Sequence, residues 1–294
     1  MRATPFAMTV PDYHTDTWGN RTYYSGKTKI TPENFHLTPA FTGLYANPSP
    51  FPYFERGRGN FLTRLFVMLR QVHRFRVQLK WNSEKPIFKE IEEYFPACET
   101  KPRWWMPLHA EYKGKKFNGV VMKNAEVLMN MEKHIPREKF SRVCEIGAGY
   151  GSHAEMTIKR YDPEYYYIID LPETLRVSRM YLSSVFPDKV GKSIIFVEAK
   201  DYDTIRVPFT LFVNSNSFAE MPPDVVKAYF RFMERHPGAY LSATNPPRFE
   251  GEYLYAGPET YPYGDKWEVI WTGRQKLYYH RKNLQIISRV RERV

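Results

Sequence analysis

The densest chemistry in the sequence lies at Glu145, Gly147, Ala148, Gly149 and Gly151, where an acid is followed by glycines at alternate positions. Glycine adopts backbone angles that other residues resist. Such a run therefore turns tightly and lets main-chain atoms approach a ligand closely. An apolar run over 141–146 precedes it and a helical pattern over 151–161 follows, the context that a nucleotide-binding loop needs. Nineteen positions past Gly151, at the end of the next apolar run, stands Asp170 with Leu171 beside it. An acid at that place accepts from both hydroxyls of a ribose. Strand, loop, helix and acid together point to a bound nucleotide; a turn with purely structural glycines is the alternative.

A dinucleotide loop usually reads G-x-G-x-x-G and faces a pyrophosphate with a helix N-terminus. Here the order is E-x-G-x-G-x-G, which resembles motif I of class I S-adenosylmethionine (SAM) methyltransferases. The resemblance implies that the loop borders the methionine part of the cofactor and that Asp170 holds the ribose. It also implies that Asp201 accepts from the adenine amino group and that Tyr202 stacks on the ring. Two further strings, YIIDLPET over 167–174 and FVNSNSFAEMP over 212–222, resemble the bacterial sugar O-methyltransferases, with the likeness running over 115–290. That likeness implies a Rossmann-like sheet and transfer of a methyl group to a sugar hydroxyl, on an activated sugar or a surface glycan of polysaccharide biosynthesis. Asn214 and Ser215 would border the cofactor, and Asn216 and Ser217 the acceptor.

Methyl transfer is an in-line attack on a sulfonium methyl group, so the acceptor oxygen must be aligned and must lose its proton. Glu220 is the first candidate for base or hydroxyl-orienting group. The alternative is that it orients the helix beginning near Pro222. His280 and His109 are further candidate bases, and His153 faces either the methionine carboxylate or the cleft wall. Glu220, Asp224 and Asp265 show no metal-ligand spacing; a divalent ion is compatible but not indicated. Residues 246–266 form a Pro-, Gly- and Tyr-rich insertion longer than an ordinary connection, and such loops are often lids. Tyr253, Tyr255, Tyr261, Tyr263 and Trp267 offer faces for a sugar, and Arg248 or Lys266 offers a cation for a phosphate. The alternative is an aromatic loop packed on its own domain.

The elements that must position these groups follow from periodicity. From residue 140 onward, short apolar runs (141–146, 165–169, 193–197, 209–213, 239–243) alternate with helical patterns (151–161, 172–186, 222–235), as in a parallel α/β sheet. The runs 267–271, 277–280 and 284–290 lack intervening helices and predict an antiparallel edge hairpin. The fold class is therefore α/β with a mostly parallel sheet, and the resemblance implies that it is a Rossmann-like methyltransferase sheet. Ahead of it, residues 1–60 hold seven prolines and eleven aromatics, an extended arm that drapes over the body or over a second copy. Helices are expected over 60–81, from Ser83 with Pro86 in its first turn, and over 124–134. The division is 1–115 as arm and helical cap and 116–294 as catalytic body.

Composition narrows the class. The chain of 294 residues is 43% hydrophobic and 26% charged, values of a globular chain with a full core. No apolar run approaches a membrane span, no secretory h-region opens the chain, and two cysteines exclude a disulfide scaffold; a cytoplasmic setting is expected. The net charge of +11 concentrates in 61–81 and 274–294, so an anionic partner such as phosphate, nucleotide, nucleic acid or a membrane surface is expected, or else two solvated faces. No RNA-binding module is present, which counts against a nucleic-acid methyltransferase. The string Asn245, Pro246, Pro247, Arg248 mimics an amino-methyltransferase motif but follows the fifth strand, one too late, and lacks the stacking aromatic. A nicotinamide oxidoreductase and a SAM-binding scaffold without turnover are the other rivals.

Overall fold

The computed structural model describes residues 86–94, 109–112, 115–246, 257–277 and 283–292, with backbone alone for 109–112 and 115–123. The expected arm over 1–60 and helix over 60–81 lie outside the described residues. In chain order the regular elements are α1 (Pro86–Ile91), β1 (His109–Tyr112), β2 (Lys115–Asn118), α2 (Gly119–His134), β3 (Arg142–Ile146), α3 (Ser152–Tyr161), β4 (Tyr165–Asp170), α4 (Pro172–Val185), β5 (Ile194–Glu198), β6 (Leu211–Ser215), α5 (Pro223–Met233), β7 (Tyr240–Asn245), β8 (Trp267–Arg274) and β9 (Leu284–Val290). β1 and β2 pair as a separate antiparallel hairpin, so the boundary drawn at 115/116 falls inside strand β2.

Seven strands form one sheet in the order β5-β4-β3-β6-β7-β9-β8. The first five are parallel; β9 runs antiparallel between β7 and β8, so β8 again points the same way as β7. This is the expected α/β, mostly parallel sheet with an antiparallel edge. The edge differs in detail. β8 runs on to Arg274, Leu277 lies in a bend, and 278–280 lie outside the described residues.

The parallel strands are apolar on both faces because helices cover both. Val143, Tyr166, Ile168, Leu211 and Val213 face a core with Leu128, Met131, Ala154, Val177 and Leu182 from α2, α3 and α4. On the other face Cys144, Ile146, Ile169, Phe212, Leu241 and Ala243 meet the aromatic helix α5 through Val226, Tyr229, Phe230 and Phe232. Helix α1 docks on the first core through Phe88 and Ile91, with Tyr94 beyond it. A polar clamp reinforces that docking. The Glu132 carboxylate accepts from Tyr94 Oη at 2.5 Å, from Arg160 Nε at 2.6 Å and Nη2 at 2.8 Å, and from Tyr161 Oη. Burial alone would raise the Glu132 carboxyl, but Arg160 and the two tyrosine hydroxyls outweigh it and hold it at about 2. Among the described residues no helix is long and apolar enough to cross a membrane.

Candidate active site at the carboxyl edge of the sheet

Parallel strands deliver their loops to one edge, and β3, flanked by β4 and β6, delivers the glycine loop at its centre. Gly147 leaves the strand with φ +75° and donates its N–H to Ile169 O at 2.8 Å. A Cβ on Gly147 would stand 2.0 Å from Ser217 Oγ and 2.3 Å from Ser217 Cβ, so this glycine is required by a neighbouring loop seventy positions away. Gly149 also has positive φ, +58°, but among the described residues a Cβ there would meet nothing within 4 Å. It faces open space, as a ligand's cradle does. Gly151, which caps α3, is confined by Leu182.

Asp170 ends β4 beside this loop. Its Oδ2 accepts from Gly149 N–H at 3.1 Å and its Oδ1 from Leu171 N–H at 2.8 Å. Burial pushes its carboxyl up to about 7 against the pull of those two amides. Glu145 lies deeper, 1% exposed, with the Tyr166 hydroxyl donating to it at 2.8 Å. Burial lifts it to about 8, the Tyr166 hydroxyl pulls the other way, and the charge of Asp170 adds to the rise. Strand alternation turns Glu145 onto the face covered by the helices, so it supports the loop from below rather than facing the open space at Gly149. His153 is buried, among the described residues neither ring nitrogen has a partner, and burial brings it down to about 4.

Asp201 and Tyr202 occupy the 3-10 turn Ala199–Thr204 after β5, on the same edge beyond Asp170. The Tyr202 ring packs on Tyr229 at 4.7 Å and edge-on to Phe232 at 5.2 Å, so it is part of the α5 cluster as well as of this wall.

The 212–222 string forms the opposite side. Asn214 is fully buried. Its Nδ2 donates to Ile146 O at 2.8 Å, and its Oδ1 accepts from Phe218 N–H at 3.1 Å and Asn245 Nδ2 at 2.9 Å. Its amide is thus engaged by the protein on both its oxygen and its nitrogen. Ser215 and Asn216 reach the edge. Asn216 takes φ +64°, donates its N–H to Thr244 O at 2.8 Å and accepts from Asn283 Nδ2 at 2.6 Å. Ser217 lies over Gly147, and the turn Phe218–Glu220 brings Glu220 to the same edge, just ahead of α5.

Two expected acceptor contacts are corrected. Trp267 begins β8, which runs parallel to β7, so it lies at the amino edge of the sheet, the end opposite the glycine loop. It is 4% exposed, packs on Phe230 at 5.1 Å and donates from Nε1 to Glu234 at 3.2 Å. Tyr263 packs on the same Phe230 at 5.2 Å, and Lys266 pairs with Glu234 at 2.9 Å. The two rings seal the core beneath α5, and Lys266 stays at the surface. His280, Arg248, Tyr253 and Tyr255 lie outside the described residues, as does the side chain of His109. Among the described residues no group of three or more metal-ligating side chains converges.

The sequence reading missed Asn245, Asn283 and Glu126. Glu126, in α2, accepts the backbone N–H groups of Lys276 at 2.6 Å and Leu277 at 3.0 Å, anchoring the chain beyond β8. The expected edge hairpin was the one available signal, since antiparallel pairing brings the start of β9, and with it Asn283, to the carboxyl edge.

No family model matches the chain, and no curated protein matches it. Among solved structures, magnesium protoporphyrin IX methyltransferase from Synechocystis PCC 6803 with bound S-adenosylhomocysteine (SAH) is 13% identical, covering 73% of this chain and 98% of its own at a TM-score of 0.46. The apo form of the SAM-dependent methyltransferase SibL is 13% identical, covering 78% and 76% at a TM-score of 0.43. At such identities and scores these likenesses do not bear on cofactor or acceptor.

Proposed function

We propose that this chain is a SAM-dependent O-methyltransferase whose acceptor is a sugar hydroxyl, on an activated sugar or a glycan component. The observation that carries the reading is the pairing of Gly149 with Asp170: a left-handed glycine facing open space, its N–H held by the carboxylate at the end of the next parallel strand. That pairing supports an adenosyl ligand at this edge. In this reading Asp170 accepts the ribose hydroxyls, the glycine loop borders the methionine end, and Asp201 lies toward the adenine. When bound, SAM supplies an electrophilic methyl group. The protein's part is to align the acceptor oxygen and remove its proton, and Glu220, on the turn packed against the glycine loop, is the proposed base. Asn216 and Ser217 then line the acceptor side. The sugar assignment rests on the resemblance of 212–222, and residues 1–115 are assigned to shaping the acceptor site and a homodimer.

Calorimetric titration with SAM, SAH and NAD(H) tests the reading. Micromolar binding of the first two with silence from NAD(H) is expected, and Asp170→Ala should abolish it. Binding of NAD(H) alone would overturn the proposal in favour of an oxidoreductase. Nucleotide sugars, with and without Mg²⁺, are the first acceptors to screen. Glu220→Gln should retain SAH binding and lose turnover; full activity would remove Glu220 as the base.

A further inference from the structure

The string that begins at Asn245 has no part in the function proposed above, yet its first residue occupies a particular place. Asn245 ends β7, and the proline that follows confines it to extended backbone. Alternation then turns its side chain to the α5 face, the face of Leu241 and Ala243. There it is fully buried between two loops. Its Nδ2 donates to Asn214 Oδ1 at 2.9 Å, and its Oδ1 accepts the N–H of Ala219 at 3.2 Å. Asn214 accepts the N–H of Phe218 at 3.1 Å and donates to Ile146 O at 2.8 Å, one residue before Gly147. Two side-chain amides from neighbouring strand ends therefore hold the first two amides of the turn that carries Glu220. They tie that turn to the root of the glycine loop.

We propose that Asn245 is a positioning residue: with Asn214 it fixes the Phe218–Glu220 turn against the glycine loop, so that Glu220 faces the bound cofactor at a set distance. Its amide is directed inward and engaged through both its oxygen and its nitrogen, so it does not hold an acceptor amino group, as the resemblance of the string to an amino-methyltransferase motif would suggest. The role assigned to Glu220 rests on the methyltransferase reading; the fixing of the turn does not.

Amide hydrogen exchange of the full chain, without ligand and with SAH, tests this in wild type, Asn245→Ala and Asn245→Asp. In Asn245→Ala the amides of 217–221 should exchange at least about tenfold faster, while those of β3 and β6 keep their protection. Asn245→Asp still accepts from Ala219 but cannot donate to Asn214, so it should fall between the two and serves if the alanine variant does not fold. Unchanged exchange over 217–221, or a rise spread evenly over the sheet, would overturn the proposal. SAH affinity should stay within about threefold of wild type. With the nucleotide sugar that the chain turns over, Asn245→Ala should lower kcat at unchanged KM for SAM. A kcat equal to that of wild type would overturn the role. The exchange pattern together with absent SAH binding would overturn the methyltransferase reading and leave the positioning standing.

Discussion

Gly147→Ala probes the contact between the two loops that make the site. At φ +75° any L residue costs about 1–2 kcal/mol over glycine. The new methyl would also lie 2.0 Å from Ser217 Oγ and 2.3 Å from Ser217 Cβ. Rotating Ser217 relieves the first collision but not the second, because Cβ is fixed to the backbone. The backbone cannot retreat freely either, since Asn214 and Asn245 hold Phe218 and Ala219. Overpacking of this kind costs about 1–3 kcal/mol, for a total of about 2–5 kcal/mol. Ser217→Gly removes both clashing atoms and leaves Cα, 3.8 Å away, as the nearest neighbour. Alone it should cost up to about 1 kcal/mol. Urea unfolding of wild type, both single variants and the double variant gives the cycle. Gly147→Ala should cost about 1–3 kcal/mol less when Ser217→Gly is present. Equal costs in both backgrounds would refute the contact.

Gly149→Ala should behave differently. It meets no atom of the described residues, so stability should fall by only about 1–2 kcal/mol, while SAH affinity should drop at least about tenfold as the methyl enters the ligand's space; an unchanged Kd by calorimetry would sink the cradle assignment. Burial raises Asp170 from 3.8 to about 7, so its contribution to stability is full below the lower value and is lost as pH rises through the higher one. Ribose hydroxyls donate to the charged form, so SAH should bind about tenfold more weakly at pH 6 than at pH 8, and equal affinities would exclude Asp170 as the ribose acceptor. Glu132→Gln should cost about 2 kcal/mol in urea unfolding because three donor side chains lose a charged acceptor. Glu132 is held at about 2, below its ordinary 4.5, so its contribution is present above the ordinary value and fades as pH falls through the lower one. The exposed pair of Lys133 and Glu90 is the control, and Lys133→Ala should change little.

The sequence by itself determined the parallel sheet, the strand that ends at the glycine loop, and the acid that follows the next strand. Each is a local pattern: apolar runs of strand length, glycines where backbone must turn, and an acid at a fixed chain distance. It also carried the 212–222 string, whose residue types stand out without any contact being known. Only the tertiary structure decided which members of these strings are tied into the protein's own packing. Glu145 and Asn214 both belong to the motifs, but strand alternation and close packing commit their side chains to Tyr166 and to Asn245. Trp267 and Tyr263 look like stacking platforms in a loop rich in aromatics. The direction of β8 carries Trp267 to the opposite edge, and Phe230 gathers both rings into the core. Asn283 carries no local signature, and the string at Asn245 resembles a motif of a different role. Their parts arise from chain segments far apart in sequence that the sheet order brings to one edge, and spacing along the chain does not encode that order.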